Sequence, residues 1–143
     1  MSSDDDDTGE AAVLARRHHR VGWSMVLVFA CAGLLLESLA GFRVAWFSDA
    51  DMETRRTMWR LAHAHGALLG LLNAVLANTL RSGGAPRWSR RSAMAVMVGS
   101  VAVPSGFALG GIWFVDGDPS PAIILVPAGA LALIAGLFDA LRR

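Results

Sequence analysis

The chain has 143 residues, of which 54% are hydrophobic and 17% charged, and its mean hydropathy is +0.45. This composition is too apolar for an ordinary soluble domain, and four long apolar runs leave no room for a separate one. All basic residues are arginines that follow the ends of these runs without forming a basic face, which argues against nucleic-acid binding. The sequence therefore predicts an all-α integral membrane protein, a bundle of four transmembrane helices in a lipid bilayer.

The first twenty residues are predicted to lie outside the transmembrane domain. Residues 1–10 are acidic and lack large apolar side chains beyond the initial methionine, which is typical of a disordered tail. Residues 11–20 end in the basic cluster Arg16–Arg20, whose two adjacent histidines are expected to lie in an interfacial collar and not in a site. The chain is thus divided into a tail and collar, 1–20, and a four-helix domain, 21–143.

The first predicted span covers residues 21–42. Its small residues Ala30, Gly33 and Ala40 share one helical face with Glu37. Gly33, Glu37 and Ala40 follow Ala30 by three, seven and ten residues, which is helical spacing. Small side chains allow helices to approach closely in lipid, so this face is expected to pack against a neighbour. Glu37 is therefore expected to point into the bundle.

The second predicted span, residues 58–80, contains His63, His65 and Asn73 within an apolar run. Polar side chains at membrane depth are costly and often mark function, so this segment is the first place to look for a site. At about 100° per residue, His63 and Asn73 fall on one side of the helix and His65 about 200° away from His63. The two histidines are therefore not expected to bind one metal ion together.

The third and fourth predicted spans, residues 92–115 and 121–141, are joined by the short acidic loop 116–120. Most arginines lie in the amino-terminal flank, in the loop between the second and third spans, and at the carboxyl end. Because positive charge stays on the cytoplasmic side, both termini are predicted to be cytoplasmic, in a bacterial inner membrane.

This orientation places Glu37 and His63 at the same predicted depth, about 7–8 Å below the outer boundary of the bilayer by helix rise. Spans joined by a short loop are usually antiparallel neighbours, so Glu37 is predicted to pair with His63 or His65. A carboxylate beside a histidine raises its basicity as a metal ligand. Alternatively, such a pair only holds two helices in register, and Asn73 can likewise bond a neighbouring helix or contact a substrate.

The run Ala62–Gly66 reads Ala-His-Ala-His-Gly and is followed by Gly70. It resembles the second-span motif of two kinds of small four-helix membrane enzyme, hydroxylaminobenzene mutase and styrene oxide isomerase. Both have an Ala-His pair, a nearby glycine and another glycine seven residues after the histidine, a spacing that His63 and Gly70 share. The run 126–128, Val-Pro-Ala, also looks like the isomerase pattern, and the four-span topology covers the whole chain.

The resemblance implies that His63 ligates a haem b held between the subunits of a homotrimer, with His65, Gly66 and Gly70 in the same cofactor site. It also implies that ferric iron acts as a Lewis acid on the oxygen of a small apolar epoxide and drives its rearrangement to a carbonyl compound. The family asparagine six residues after the histidine is Leu69 here, and the third-span tyrosine of the isomerase has no counterpart, since the chain lacks tyrosine. This chain can therefore share haem binding with the family without sharing its isomerisation activity.

Three functions stay open on the sequence. The first is a haem-binding isomerase or mutase in which His63, Asn73 and Glu37 are the candidate catalytic residues. The second is a non-enzymatic membrane subunit or scaffold whose polar side chains only lock helices together. The third is a small haem protein of electron transfer, which needs His63 but neither of the other two residues.

Overall fold

The structure, a computed structural model, describes residues 3–82 and 88–142, with the side chains of 3–8, 114 and 115 outside the description. The helices are α1 (Ser3–Gly41), α2 (Ala45–Ser48), α3 (Glu53–Arg81), α4 (Arg90–Gly110) and α5 (Leu125–Leu141). Short 3-10 helices precede α3 and α5, at Ala50–Met52 and Pro121–Ile124. Two short strands, β1 (Phe114–Val115) and β2 (Asp118–Pro119), form an antiparallel hairpin between α4 and α5.

Four of these helical segments are long and apolar enough to cross a membrane, namely Gly9–Gly41, Ala50–Arg81, Arg90–Gly110 and Pro121–Leu141. The predicted fold class, a four-helix transmembrane bundle, is therefore confirmed, and the chain is an integral membrane protein. The beginning of the first helix is different from the prediction, because α1 starts at Ser3 and includes the acidic segment that was expected to be disordered.

The helices pack in a row, with α1 against α3, α3 against α4, and α4 against α5. Glycines make the closest approaches: a Cβ added at Gly22 of α1 would lie 2.7 Å from the Gly70 oxygen of α3. Between α4 and α5, a Cβ at Gly99 would lie 2.5 Å from the Gly129 oxygen. Small residues thus bring backbones together, as expected where lipid offers no hydrophobic driving force between helices. The outward faces of α1 and α5 are left uncovered in the single chain.

The third span is shorter than predicted, because α4 ends at Gly110 and not at residue 115. The chain then turns through the β1–β2 hairpin, where Asp116 and Gly117 have φ angles of 53° and 87°. Two central residues with positive φ give the two-residue turn whose twist matches that of paired strands, and Asp-Gly is a favoured sequence for it. The Thr54 hydroxyl of α3 donates to the Gly117 oxygen at 2.6 Å and ties the hairpin to the bundle.

Two arginines in the first turn of α3, Arg55 and Arg56, which count against the predicted orientation, bond to backbone oxygens nearby. Arg55 donates from Nε to the Gly111 oxygen at 3.2 Å, just after α4 ends. Arg56 donates to the oxygens of Phe47 and Asp49 at 2.8 and 2.6 Å. Since guanidinium groups supply several donors in a fixed fork, both side chains bond to carbonyls at the ends of α2 and α4.

Candidate functional site

The His63 imidazole of α3 bonds directly to the backbone of α1. Its Nδ1 lies 2.6 Å from the Phe29 oxygen. A carbonyl oxygen can only accept, so Nδ1 carries the hydrogen and Nε2 of the neutral ring carries the lone pair. The bond therefore fixes the tautomer in which Nε2 can act as a metal ligand.

Two glycines, one on each helix, make room for a ring from the opposite helix. A Cβ added at Gly33 of α1 would lie 2.7 Å from Nδ1 and 2.9 Å from Nε2 of His63. A Cβ added at Gly66 of α3 would clash with the ring of Phe29. Because real Cβ atoms do not approach so closely, Gly33 is needed where the His63 ring lies, and Gly66 where the Phe29 ring lies.

The two glycines of α3 that were predicted for the cofactor site, Gly66 and Gly70, take part in helix packing. Gly66 faces the Phe29 ring, and a Cβ at Gly70 would lie 2.9 Å from the Gly22 oxygen. Both glycines face α1. They therefore act on any bound group through the position of His63.

The Nε2 of His63 is left open on the surface of the α1–α3 pair. The side chain is half-buried, and Nε2 has no hydrogen-bond partner within the described part of the chain. In the described residues, the fully buried polar side-chain atoms without a partner are His18 Nε2 and Ser100 Oγ. His63 Nε2 is not one of them, so it is not fully buried. A lone pair at membrane depth is therefore accessible from outside the single chain.

His65 faces a different helix from His63. Its Nδ1 donates to the Leu61 oxygen of its own helix at 2.8 Å. Its ring lies against Phe107 of α4, with 4.9 Å between ring centroids. The two histidines thus point to opposite neighbours, as the helical spacing predicted. Among the described residues no group of three or more histidine, cysteine or acidic side chains could hold a metal ion.

Glu37 does not point into the bundle, and that expectation was wrong. The side chain is exposed, and it forms no hydrogen bond or ion pair with His63, His65 or any other described residue. The reason is the position of Glu37 around α1. Gly33 and Leu36 are on the buried side of the helix. Glu37 lies about 40° around the helix from Gly33, in the direction away from Leu36. Depth alone was therefore not enough to predict the pairing.

The most buried polar contact is one that the sequence pattern did not predict. His18 of α1 and Asn73 of α3 are both 0% exposed, and His18 Nδ1 lies 2.7 Å from Asn73 Oδ1. The Asn73 amide nitrogen donates to the Leu69 oxygen at 2.8 Å, which identifies Oδ1 as the acceptor and His18 as the donor. His18 is therefore part of the core, not of an interfacial collar, and Asn73 has both polar atoms engaged.

A sequence feature could have found His18. Its immediate neighbours are arginines and a histidine, which indicated a basic collar. However, Leu14, His18, Gly22 and Met25 recur at spacings of four and three, and all four are buried. The packing face of α1 thus begins well before the predicted start of the span.

Replacing Asn73 with alanine should lower the free energy of unfolding by about 1–3 kcal/mol, because the buried His18 N–H loses its acceptor. Asn78→Ala is the matched control, since Asn78 is exposed on the same helix. Thermal or detergent-induced unfolding of the purified protein measures both. Equal losses for the two variants would contradict the buried pair.

The site therefore consists of one oriented and half-buried imidazole, His63, and a separate buried pair of His18 and Asn73. By helix rise, Asn73 lies about 15 Å along α3 from His63, so the two features are distinct. Comparisons with protein-family models, with curated proteins and with solved structures found no match to this chain.

Proposed function

We propose that this protein binds haem b within the membrane through Nε2 of His63, and that the bound haem rearranges a small apolar molecule taken from the bilayer. The observation that supports the proposal is the 2.6 Å bond from His63 Nδ1 to the Phe29 oxygen. It leaves the ligating nitrogen free and oriented, which is the arrangement that histidine ligands in metal proteins share.

The described residues fit this group. Haem needs one or two axial ligands and apolar walls, and the surroundings of His63 are alanine, glycine and phenylalanine side chains of α1 and α3. The His63 ring lies over Gly33, and its Nδ1 faces the Phe29 oxygen. A haem at Nε2 would therefore lie on the side of the ring turned away from the Phe29 oxygen.

The chain's own residues would have separate tasks. When bound, ferric haem supplies a Lewis acid for the substrate oxygen. The Phe29 carbonyl orients the imidazole. Gly33 keeps the ring in place, and the apolar helix faces exclude water. Asn73 cannot contact a substrate while both its polar atoms are engaged with His18 and Leu69.

The test is the visible spectrum of the purified protein titrated with haem. We expect a Soret band in the wild type that is lost in His63→Ala. His65→Ala is the matched control, since its ring lies against Phe107 on the other side of α3, and it should keep the band. A wild type that stays colourless after haem addition would contradict the proposal.

Turnover separates the enzymatic function from electron transfer. An aryl epoxide supplied in detergent should give a carbonyl isomer without any added reductant or oxidant, because the rearrangement changes no overall oxidation state. Product analysis by gas chromatography measures this. Reduction of the bound haem by a quinol, with no epoxide consumed, would identify an electron-transfer protein instead.

One set of observations favours a second candidate, a non-enzymatic membrane subunit. His18 and His63 each bond through Nδ1 to an oxygen of the neighbouring helix. Such bonds hold helices in register at about 0.6 kcal/mol each on average, without any ligand. A colourless wild type whose stability falls in His63→Ala would support this function.

A further inference from the structure

Two side chains of opposite charge lie unpaired near the outer ends of α1 and α3. Glu37 and Arg60 are both exposed, and neither forms a hydrogen bond or ion pair with the residues that the structure describes. Both lie inside segments long and apolar enough to cross the membrane. Unpaired charges at membrane depth are costly and usually have a partner.

The two charges lie at the same depth. Gly33 of α1 is opposite His63 of α3, where the ring fills the space above the glycine. Glu37 is four residues after Gly33, and Arg60 is three residues before His63 on the antiparallel helix. Both are therefore closer to the outer end, by about 6 and 4.5 Å of helix rise.

Both charges also lie on the same side of the α1–α3 pair. On α1, Glu37 is rotated about 40° from Gly33, and on α3, Arg60 is rotated about 60° from His63. Because the helices are antiparallel, these two rotations turn the side chains to one common face. That face is turned away from α4, since His65, which contacts Phe107 of α4, is about 140° from Arg60 around α3.

The surface between the two charges is lined by small side chains. Ala30 of α1 and Ala64 of α3 are exposed, and Ala67 is half-exposed. Such residues allow the backbone of another helix to approach closely within lipid. We call this surface, from Glu37 and Arg60 inward to Ala30, Ala64 and Ala67, the α1–α3 face.

We infer that a second copy of this chain docks on the α1–α3 face, with Glu37 of each copy paired to Arg60 of the other. The charges are complementary, and a symmetry axis along the membrane normal keeps every residue at its own depth. Two residues at equal depth and of opposite sign can therefore meet across that axis. Lipid acyl chains are a poorer occupant, because they would leave both charges without a partner.

Charge reversal of the full-length protein tests the pairing. Glu37→Arg and Arg60→Glu should each weaken self-association at least about tenfold, since like charges then face each other. The double variant should associate like the wild type. Counting copies per assembly by single-molecule photobleaching in lipid vesicles, over a dilution series, gives the dissociation constants. Arg81→Glu reverses an exposed charge at the other end of α3 and should leave association unchanged.

Mixing the two single variants distinguishes a contact between copies from one within a chain. In a mixed pair, Arg at position 37 meets Glu at position 60, and native Glu37 meets native Arg60. Co-reconstituted single variants should therefore associate as mixed assemblies with wild-type affinity. The inference is overturned if the wild type is monomeric in vesicles, if the single variants associate like it, or if mixing fails to restore association. The readout is assembly, so it does not depend on haem binding.

Discussion

Replacing Gly33 with alanine is expected to displace the His63 imidazole and to weaken haem binding by about 10- to 100-fold, the usual effect of losing the group that orients a metal ligand. The added Cβ would lie under 3.0 Å from Nδ1 and Nε2 of the ring. The ring cannot move toward α1, because the new methyl group occupies the space between it and the α1 backbone. It must rotate, and the bond to the Phe29 oxygen is then lost.

The same variant makes a prediction that needs no haem. Overpacking at Gly33 should lower the free energy of unfolding by about 1–3 kcal/mol. Removing the ring as well, in Gly33→Ala/His63→Ala, should recover most of that loss, because the new methyl group then occupies the vacated space. A double-mutant cycle on unfolding measures the coupling between the two positions.

The control for this cycle is Gly41→Ala on the same helix, where an added Cβ would meet nothing within 4 Å. It should change neither haem affinity nor stability appreciably. If the effects of Gly33→Ala and His63→Ala simply added, within about 0.5 kcal/mol, the ring would not lie over Gly33. Loss of haem without coupling would point to damage elsewhere in the bundle.

The membrane-spanning architecture could be predicted from the sequence because length and apolarity decide it. A run of about 20 apolar residues has few alternatives to crossing a bilayer as a helix. The boundaries were harder to predict, since α4 was expected to continue to residue 115 but ends at Gly110. The Asp116-Gly117 turn that redirects the chain is encoded by only two residues, a weak signal beside the long apolar run.

The candidate site could be predicted only in part, because a sequence specifies the rotation of a side chain about its own helix but not the direction of the neighbour. His63 was correctly placed on the small-residue side of α3, and Gly33 on that of α1. Whether Glu37, about 40° beyond Gly33, faces inward or outward depends on the crossing of the two helices. Similarly, nothing in the sequence indicates that Arg55 and Arg56 bond to backbone oxygens.

Replacing Gly22 with alanine should separate α1 from α3 and destabilise the bundle more than Gly33→Ala does. The added Cβ would lie 2.7 Å from the Ala74 nitrogen and 2.7 Å from the Gly70 oxygen, and 3.2 Å from the Ala74 Cα. These are backbone atoms, so no rotamer change can relieve the contact. We expect a loss at or above the upper end of the usual overpacking range, about 3 kcal/mol.

The loss should include the buried pair one turn away. His18 lies four residues before Gly22, and its 2.7 Å bond to Asn73 spans the same two helices. If α1 moves outward, that bond lengthens, so Gly22→Ala and Asn73→Ala should be coupled, with the double variant less destabilised than the sum. Unfolding in detergent measures the cycle, with Gly41→Ala/Asn73→Ala as the additive control. Strict additivity of Gly22→Ala and Asn73→Ala would mean that the close approach of the helices and the buried histidine stabilise the bundle independently.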